Sequence, residues 1–136
     1  MDFAWLSRWQ PQLLAILRIV VALLFIEHGT AKLFDFPVAV PGIPDPLPTI
    51  LLAASIIEIV GGLLILVGLF TRLAAFIASG EVAVAYWMSH FPRDPSPLLN
   101  MGESAILFCF IFLYLAAAGP GAWSVDGART RNVVQR

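Results

Sequence analysis

Four long apolar runs occupy most of this chain, and their lengths constrain its fold more than any other feature. The runs cover Leu13–Phe34, Leu47–Phe70, Arg72–Met88 and Leu98–Ala118. The hydrocarbon core of a bilayer is roughly 30 Å thick, and a helix needs about 20 apolar residues to cross it. The run lengths therefore predict that residues 1–136 form a single all-α integral membrane domain, a bundle of four transmembrane helices.

The composition also indicates that this chain is surrounded by lipid rather than by water. Hydrophobic residues make up 60% of it and charged residues only 12%, whereas a soluble domain carries about 25% charged residues. The first run contains Arg18 and has no small-residue cleavage site, so we expect a retained helix rather than a removed signal peptide. The net charge is −1 and no basic patch with interleaved aromatic residues occurs, which argues against nucleic acid as a partner.

Proline and glycine mark the predicted helix ends. Asp45–Pro46 and Ser96–Pro97 each offer a capping residue followed by a proline suited to the first helical position. Gly119–Gly121, a Gly-Pro-Gly segment, predicts the end of the fourth helix. The Gly61–Gly62 pair indicates close helix packing, either within the bundle or in a homo-oligomer.

Basic residues predict the orientation in the membrane. With four spans, the N-terminus, the turn between the second and third runs, and the C-terminus share one side. That side carries Arg8, Arg72, Arg129, Arg131 and Arg136, and the other side carries Arg93 and Lys32. The positive-inside rule therefore places both termini in the cytoplasm.

Several ionisable residues lie inside the apolar runs, where each costs about 2.5–3.5 kcal/mol on a lenient insertion scale. Such groups usually face the bundle interior and find partners there. They predict a polar core or ligand-binding region formed by Arg18, Glu27, His28, Lys32, Glu58, Glu81 and Glu103. A structural network that only fixes the packing of the helices remains the alternative interpretation.

Helical geometry and charge refine this prediction. Arg18 and Glu27 are nine residues apart and fall on nearly opposite faces of one helix, so one of them must point away from the bundle centre. The membrane region holds four glutamates but two cations, Arg18 and Lys32. We therefore expect some of these carboxylates to hold a proton, or the region to bind a cation.

The sequence contains no complete motif for catalysis or for a metal. Di-iron helical bundles use a Glu-x-x-His spacing on two helices, which does not occur here, so no metal site is predicted. A haem held by His28 and His90 is a less favoured alternative. Cys109 is the only cysteine, which excludes a thiol-exchange couple and indicates a packing residue. No hydrolase triad, phosphate-binding loop or dinucleotide fingerprint is present, so the catalytic residues, if any, are unknown.

Motifs along nearly the whole chain resemble the DoxX family of bacterial membrane proteins. The motifs are Arg18-Ile-Val, His28-Gly29-x-x-Lys32-Leu33, Glu58-x-x-Gly61-Gly62-Leu-Leu, Gly68-Leu-Phe-Thr71-Arg72, Glu103 at the start of the fourth run, and Gly119-Pro-Gly121-x-x-Ser124-x-Asp126. Each is weak alone, but their order and spacing together are specific. Glu81 and His90 have no clear counterpart in the family pattern, and their roles depend on the physical argument alone.

The resemblance implies a four-helix protein of the bacterial inner membrane, related by name to a membrane subunit of a thiosulfate:quinone oxidoreductase. We therefore predict a membrane subunit or anchor for a redox process, working with a partner protein and with quinone as its possible cofactor. A chain this short without a cofactor motif is expected to be at most an accessory subunit of an oxidoreductase. The alternatives are a small proton-coupled transporter or lipid-binding protein, and a structural membrane scaffold.

Overall fold

A computed structural model describes residues 3–134, and that range is helical with no strand. The α-helices are α1 (Gln10–Phe34), α2 (Thr49–Ile56), α3 (Gly62–Val67), α4 (Thr71–Ala85), α5 (Glu103–Ala118) and α6 (Val125–Val134). A 3-10 helix, Ala4–Trp9, precedes α1. The π-helical turn Ile57–Gly61 joins α2 to α3, and a second π-helical turn, Tyr86–His90, extends α4. Arg136, one of the arginines used to predict orientation, lies outside the described residues.

Two helices of the described chain are long and apolar enough to cross a membrane, judged by length and composition. They are Ala4–Phe34 and Thr49–Val67, and Glu103–Ala118 is a shorter apolar helix. Large apolar side chains such as Leu23, Phe76 and Phe110 are exposed on the outer faces of the helices. A surface of this kind suits contact with lipid chains, whereas water would leave it as an extended exposed apolar patch.

Two predicted helix starts are wrong. The second helix begins at Thr49 with Pro48 as its capping residue, and not at Asp45–Pro46. The fourth begins at Glu103, because the buried Asn100 holds the residues before it in a turn. Its amide donates to the Asp94 carbonyl at 2.8 Å, and its side-chain oxygen accepts from the Gly102 amide at 2.7 Å. An asparagine bonded in this way offers the backbone an alternative to the helix.

The helices pack around aromatic and small side chains. Phe25 of α1 meets Phe112 of α5 edge-on, with 4.7 Å between the ring centroids, an arrangement that aromatic pairs favour. Ala75 of α4 is fully buried, and the hydroxyl of Ser79 on the same face of this helix donates to the Cys109 carbonyl of α5 at 2.8 Å. Because alanine is small, the two helix backbones can approach closely there.

Gly62 serves packing within the bundle. A Cβ atom added at this glycine would lie 2.5 Å from Cγ1 of Ile26 and 3.4 Å from the Ala22 carbonyl, both on α1. Gly61 has far more room, since its nearest neighbour would be Cγ2 of Ile57 at 4.0 Å. The two glycines of this pair therefore face different surroundings, and only Gly62 is required for the contact with α1.

Candidate functional site

An ion pair between α1 and the first π-helical turn lies at the centre of the candidate site. Lys32 Nζ donates to Glu58 Oε1 at 2.6 Å, and both side chains are largely buried. Gly29, one turn before Lys32, makes this contact possible. A Cβ atom at Gly29 would lie 2.7 Å from Cγ1 of Ile59 and 3.0 Å from Cβ of Glu58. The absence of a side chain at Gly29 thus lets α1 approach the turn that carries the carboxylate.

Glu58 lies in a π-helical turn, Ile57–Gly61, rather than in a regular α-helix. Such turns are rare and occur frequently at functional sites. The second π-helical turn, Tyr86–His90, also contributes to the same cavity. Both irregular segments of the long helices therefore border one space inside the bundle.

This cavity has a volume of about 840 Å³ and is bordered by α1, α2, α4, α5 and the loops at one end of the bundle. Its titratable lining residues are His28, Lys32, Glu58, Glu81, His90 and Arg93, and Ser89 and Ser104 also line it. Its walls are apolar side chains that include Phe25, Ile57 and Phe108. A largely apolar space with a few convergent polar groups is the usual composition of a small-molecule site.

Two carboxylate oxygens at this cavity have no hydrogen-bond partner within residues 3–134. They are Oε2 of Glu58 and Oε2 of Glu81, and both atoms are buried. The two carboxylates are close enough for their charges to interact with each other and with Lys32. Buried polar atoms are satisfied in the large majority of cases, so two unsatisfied acceptors at one cavity need an explanation.

The two histidines border the cavity in different ways. His28 presents its ring edge-on to Phe108, with 5.6 Å between the ring centroids. His90 places Nδ1 3.0 Å from the Asn100 carbonyl, so the turn before α5 fixes its orientation. A haem between the two histidines stays an untested alternative. Within residues 3–134, no group of three or more His, Cys, Asp or Glu side chains is arranged to hold a metal ion.

Three of the predicted site residues lie away from the cavity. Glu27 and Glu103 are exposed, and Arg18 is fully buried in another part of the bundle. The structure therefore brings together His28, Lys32, Glu58 and Glu81 of the predicted set. Glu103 lies in the first turn of α5, where it is exposed and does not line the cavity with His28 and Lys32.

Two titratable lining residues, His90 and Arg93, were absent from the predicted set. The sequence suggests His90 only as an alternative haem ligand, and Arg93 contributes only to the predicted orientation. Both lie in or just after a π-helical turn that a sequence pattern for an α-helix does not reveal. The proline-rich segment that follows was the available signal, since it predicts an ordered loop close to the helix ends.

Arg18 belongs to a second polar cluster, here called the inner latch and formed by Arg18, Gly68, Thr71, Ser124 and Asp126. The Arg18 guanidinium donates to the carbonyls of Pro120, Ala122 and Trp123. It thereby anchors the segment between α5 and α6 to α1. Arg18 is thus a structural contact between distant parts of the chain.

Asp126 completes the inner latch by capping a helix that is distant in sequence. Its carboxylate accepts from the Thr71 amide at 2.9 Å, from the Thr71 hydroxyl at 3.0 Å and from the Phe70 amide at 3.0 Å. Burial raises the pKa of Asp126, but these hydrogen bonds and the nearby charge of Arg129 outweigh it, so the pKa lies below its usual value. The carboxylate therefore satisfies amides at the start of α4 that have no partner within that helix.

Gly68 lets the two sides of the inner latch meet. Its φ angle is +70°, and a Cβ atom there would lie 2.5 Å from Cβ of Ser124 and 3.0 Å from Nη1 of Arg18. The Gly68 carbonyl also accepts from the Asp126 amide at 2.9 Å. The motifs around Gly68 and around Ser124, separate in the sequence, thus form one contact.

The DoxX family model matches residues 13–91. This match covers more than half of the chain. The chain belongs to the DoxX family. The matched range contains the Lys32–Glu58 ion pair and Glu81, whereas Glu103 and Asp126 lie beyond it.

Curated relatives of this DoxX protein extend the likeness to most of the chain. An uncharacterized protein of Haemophilus influenzae is 46% identical over 128 residues, which cover 89% of this chain and 93% of that protein. Inner membrane protein YphA of Escherichia coli is 32% identical over 128 residues, covering 86% of this chain and 90% of its own length. Inner membrane protein YqjF of Escherichia coli is 32% identical over 121 residues, covering 82% and 87%.

These similarities establish the location of the protein. It is a DoxX-family protein of the bacterial inner membrane, as the sequence predicted. No solved structure gives a significant match to the chain.

Proposed function

We propose that this DoxX-family protein is a four-helix membrane subunit that binds a quinone-type ligand in its polar cavity and serves a redox partner. In this proposal, four helical segments cross the membrane and both termini are cytoplasmic. The inner latch would then face the cytoplasm, and the cavity would open toward the outer half of the bilayer. Arg8, Arg72 and Arg129 on the latch side support this orientation under the positive-inside rule.

The single observation that carries the proposal is the composition of the cavity. Its volume of about 840 Å³ falls within the usual range for ligand sites, roughly 300–1,000 Å³. Lys32 and His28 offer hydrogen-bonding groups to a polar ring, and Phe108 and Ile57 supply apolar surface for the remainder of the ligand. A membrane-soluble ring compound with polar substituents matches both parts of this lining.

The proposal is tested by binding of a short-chain benzoquinone to the protein in lipid nanodiscs. We expect saturable binding by the wild type and loss of binding in Gly80→Leu. Gly80 lines the cavity, and a Cβ atom there meets nothing within 4 Å, so the larger side chain would enter the cavity without a clash at its base.

Gly61→Leu is the matched control for this experiment. Gly61 is also a helical glycine with room for a Cβ atom, and it does not line the cavity. This variant should bind the quinone as the wild type does. If the wild type shows no saturable binding, or if both variants bind equally well, the quinone proposal is wrong.

Proton-coupled transport is a second candidate, favoured by the Glu81 carboxylate. Its Oε2 atom is buried and has no hydrogen-bond partner among residues 3–134, and its charge interacts with those of Lys32 and Glu58. An intramembrane carboxylate in such a position is typical of proton relays. Proteoliposomes should then show a proton flux that Glu81→Gln abolishes. Absence of any flux, together with absence of quinone binding, would favour a structural scaffold.

A further inference from the structure

A second cavity lies beside the inner latch, at the end of the bundle where α4 begins. It has a volume of about 750 Å³ and is here called the basic pocket. Its charged lining residues are Arg72, Asp126, Arg129 and Arg131, and its apolar ones include Phe70 and Leu73. None of its described lining residues borders the first cavity. The basic pocket is therefore a separate space.

The charged residues give the basic pocket a positive charge. Three arginines line it against one aspartate, which leaves two positive charges unopposed among the described residues. The carboxylate of Asp126 is already engaged within the chain, since both of its oxygens accept hydrogen bonds, from the Phe70 amide and from Thr71. A space of this kind attracts an anion, and the planar guanidinium group of arginine matches the geometry of a phosphate.

Two of the three arginines are held in place by the fold. Arg72 donates through Nη1 to the Ala116 and Ala117 carbonyls at the end of α5. The guanidinium of Arg129 lies over the Phe70 ring, with 5.9 Å between Cζ and the ring centroid, a contact that attracts a cation to an aromatic face. Both arginines are exposed, so a ligand can reach them. A ligand that binds them therefore loses little affinity to the ordering of these side chains.

The basic pocket lies at the level of lipid headgroups. The candidate membrane span Thr49–Val67 ends just before Phe70, which lines the pocket. Trp123, in the segment between α5 and α6, is exposed, and exposed tryptophans are typical of the membrane–water interface. Leu73 and Phe76, which follow along α4, are exposed as well. Apolar surface thus continues from the pocket along the helix.

We infer that the basic pocket binds the headgroup of an anionic phospholipid whose acyl chains lie along α4. The arginines bind the phosphate, and Leu73 and Phe76 contact the chains. Basic pockets between membrane helices are typical sites for anionic headgroups. A headgroup that carries its own cation, such as phosphocholine, suits the pocket less, because that cation meets the arginines. A free phosphate ion uses the arginines but leaves the apolar surface uncovered.

Native mass spectrometry of the full chain in a non-ionic detergent tests this inference. The protein is mixed with equal amounts of phosphatidylglycerol and phosphatidylcholine that carry identical acyl chains, and the two lipid adducts are compared. We expect the phosphatidylglycerol adduct to be about tenfold more abundant, because each arginine near the headgroup adds roughly fivefold to the affinity. Glycerol phosphate, which has the charge without the chains, is added in excess to a parallel sample and should not displace the lipid.

Arginine substitutions on α6 locate the binding site. Arg129→Gln removes one positive charge from the pocket and should reduce the preference for phosphatidylglycerol by about fivefold. Arg131→Gln removes another lining charge and should act in the same direction. It provides the same test if Arg129→Gln does not fold.

Arg8→Gln is the matched control. Arg8 lies over the Trp9 ring, with 5.7 Å between Cζ and the centroid, but it does not line the basic pocket. It belongs to the same end of the bundle, since the Ala122 amide donates at 2.9 Å to the carbonyl of Pro11. This variant removes the same charge as Arg129→Gln and should keep the wild-type preference.

Each contrary outcome would overturn the inference. Equal abundance of the two adducts in the wild type would show that the pocket does not select an anionic headgroup. An equal loss in Arg8→Gln and Arg129→Gln would show that general charge at the helix ends attracts the lipid. An unchanged preference in both α6 variants would place the lipid elsewhere. If glycerol phosphate displaces phosphatidylglycerol, the ligand is a soluble phosphate compound and the lipid assignment is wrong.

Discussion

The inner latch and the cavity use the same kinds of residue in different ways. At the latch, Arg18 donates to three carbonyls and Asp126 accepts from two amides and a hydroxyl, so most of their bonding capacity is used within the chain. Among the buried side-chain atoms of the latch, Nε of Arg18 is left without a partner from residues 3–134. Glu58 and Glu81, which line the cavity, each have a buried oxygen without a hydrogen-bond partner in the described part of the chain.

This difference separates structural from functional charges in a membrane bundle. A charged residue whose partners are mainly backbone groups of distant segments fixes how those segments pack. A charged residue that lines a cavity and has a buried atom without a partner among the described residues needs another explanation. The following predictions test the distinction, beginning with the largest expected effect.

Replacing Arg18 should produce the largest loss of stability. Arg18→Met keeps much of the side-chain volume but removes the donors to Pro120, Ala122 and Trp123. We expect the free energy of unfolding to fall by about 4 kcal/mol, because buried carbonyls lose a charged partner. Unfolding in mixed detergent micelles measures this loss. If Arg18→Met is as stable as the wild type, the inner latch does not hold the bundle together.

Replacing Lys32 should have the next largest effect, and a second substitution should reverse most of it. Lys32→Met leaves the buried Glu58 carboxylate without its cation, which should cost about 3 kcal/mol. The double variant Lys32→Met/Glu58→Gln removes the unpaired charge and should recover most of the loss. The same unfolding assay measures all three variants, and an equal loss in the single and the double variant would argue against a buried ion pair.

Removing the cap on α4 should have a smaller and pH-dependent effect. Asp126→Asn weakens the bonds to the Phe70 and Thr71 amides and should cost about 1 kcal/mol near neutral pH. Because folding lowers the pKa of Asp126, its charge stabilises the protein above the ordinary carboxyl pKa, about 3.9. This contribution is lost as the pH falls below that value and through the lower pKa of the folded state.

A pH series of thermal unfolding checks this prediction. The stability difference between wild type and Asp126→Asn should be largest above about pH 5 and should shrink as the solution becomes more acidic. A difference that grows on acidification would show that the sign of the linkage is wrong.

Two exposed glutamates should have the smallest effects. Glu27→Gln and Glu103→Gln change carboxylates that lie outside both polar clusters, and each should alter the free energy of unfolding by less than about 0.5 kcal/mol. Ligand affinity should also stay unchanged. A strong loss of binding in either variant would mean that the cavity is not the site.

Much of the fold could be predicted from apolar periodicity and length, but details that depend on side-chain bonding could not. The ends of α1 and α5 at Phe34 and Ala118 agree with the predicted ends. The late start of α5 depends on the bonds of Asn100 to residues on either side of it, and no propensity reveals such bonds. The helix α6 was not predicted, because its polar sequence lacks an apolar stripe.

The kinds of residue at the candidate site could be predicted from the sequence, but the individual residues could be predicted only in part. Lys32, Glu58 and Glu81 could be identified because a charged residue within an apolar run is energetically costly and usually has a partner or a function. The same rule also selected Arg18, Glu27 and Glu103, which the fold directs elsewhere. The free-energy cost of a charged side chain in lipid shows that its position is unusual. It does not show which cavity or which backbone carbonyl the side chain contacts.

The sequence by itself determined that this protein lies in a membrane, that it is all-helical and that it belongs to the DoxX family. Each of these conclusions depends on composition, length or motif order. Only the tertiary structure decided that Arg18 belongs to the inner latch and that Lys32 pairs with Glu58. Those assignments depend on how closely α1 approaches its neighbours, which Gly29 and Gly62 permit. Such distances between segments remote in sequence arise from the packing of all the helices together.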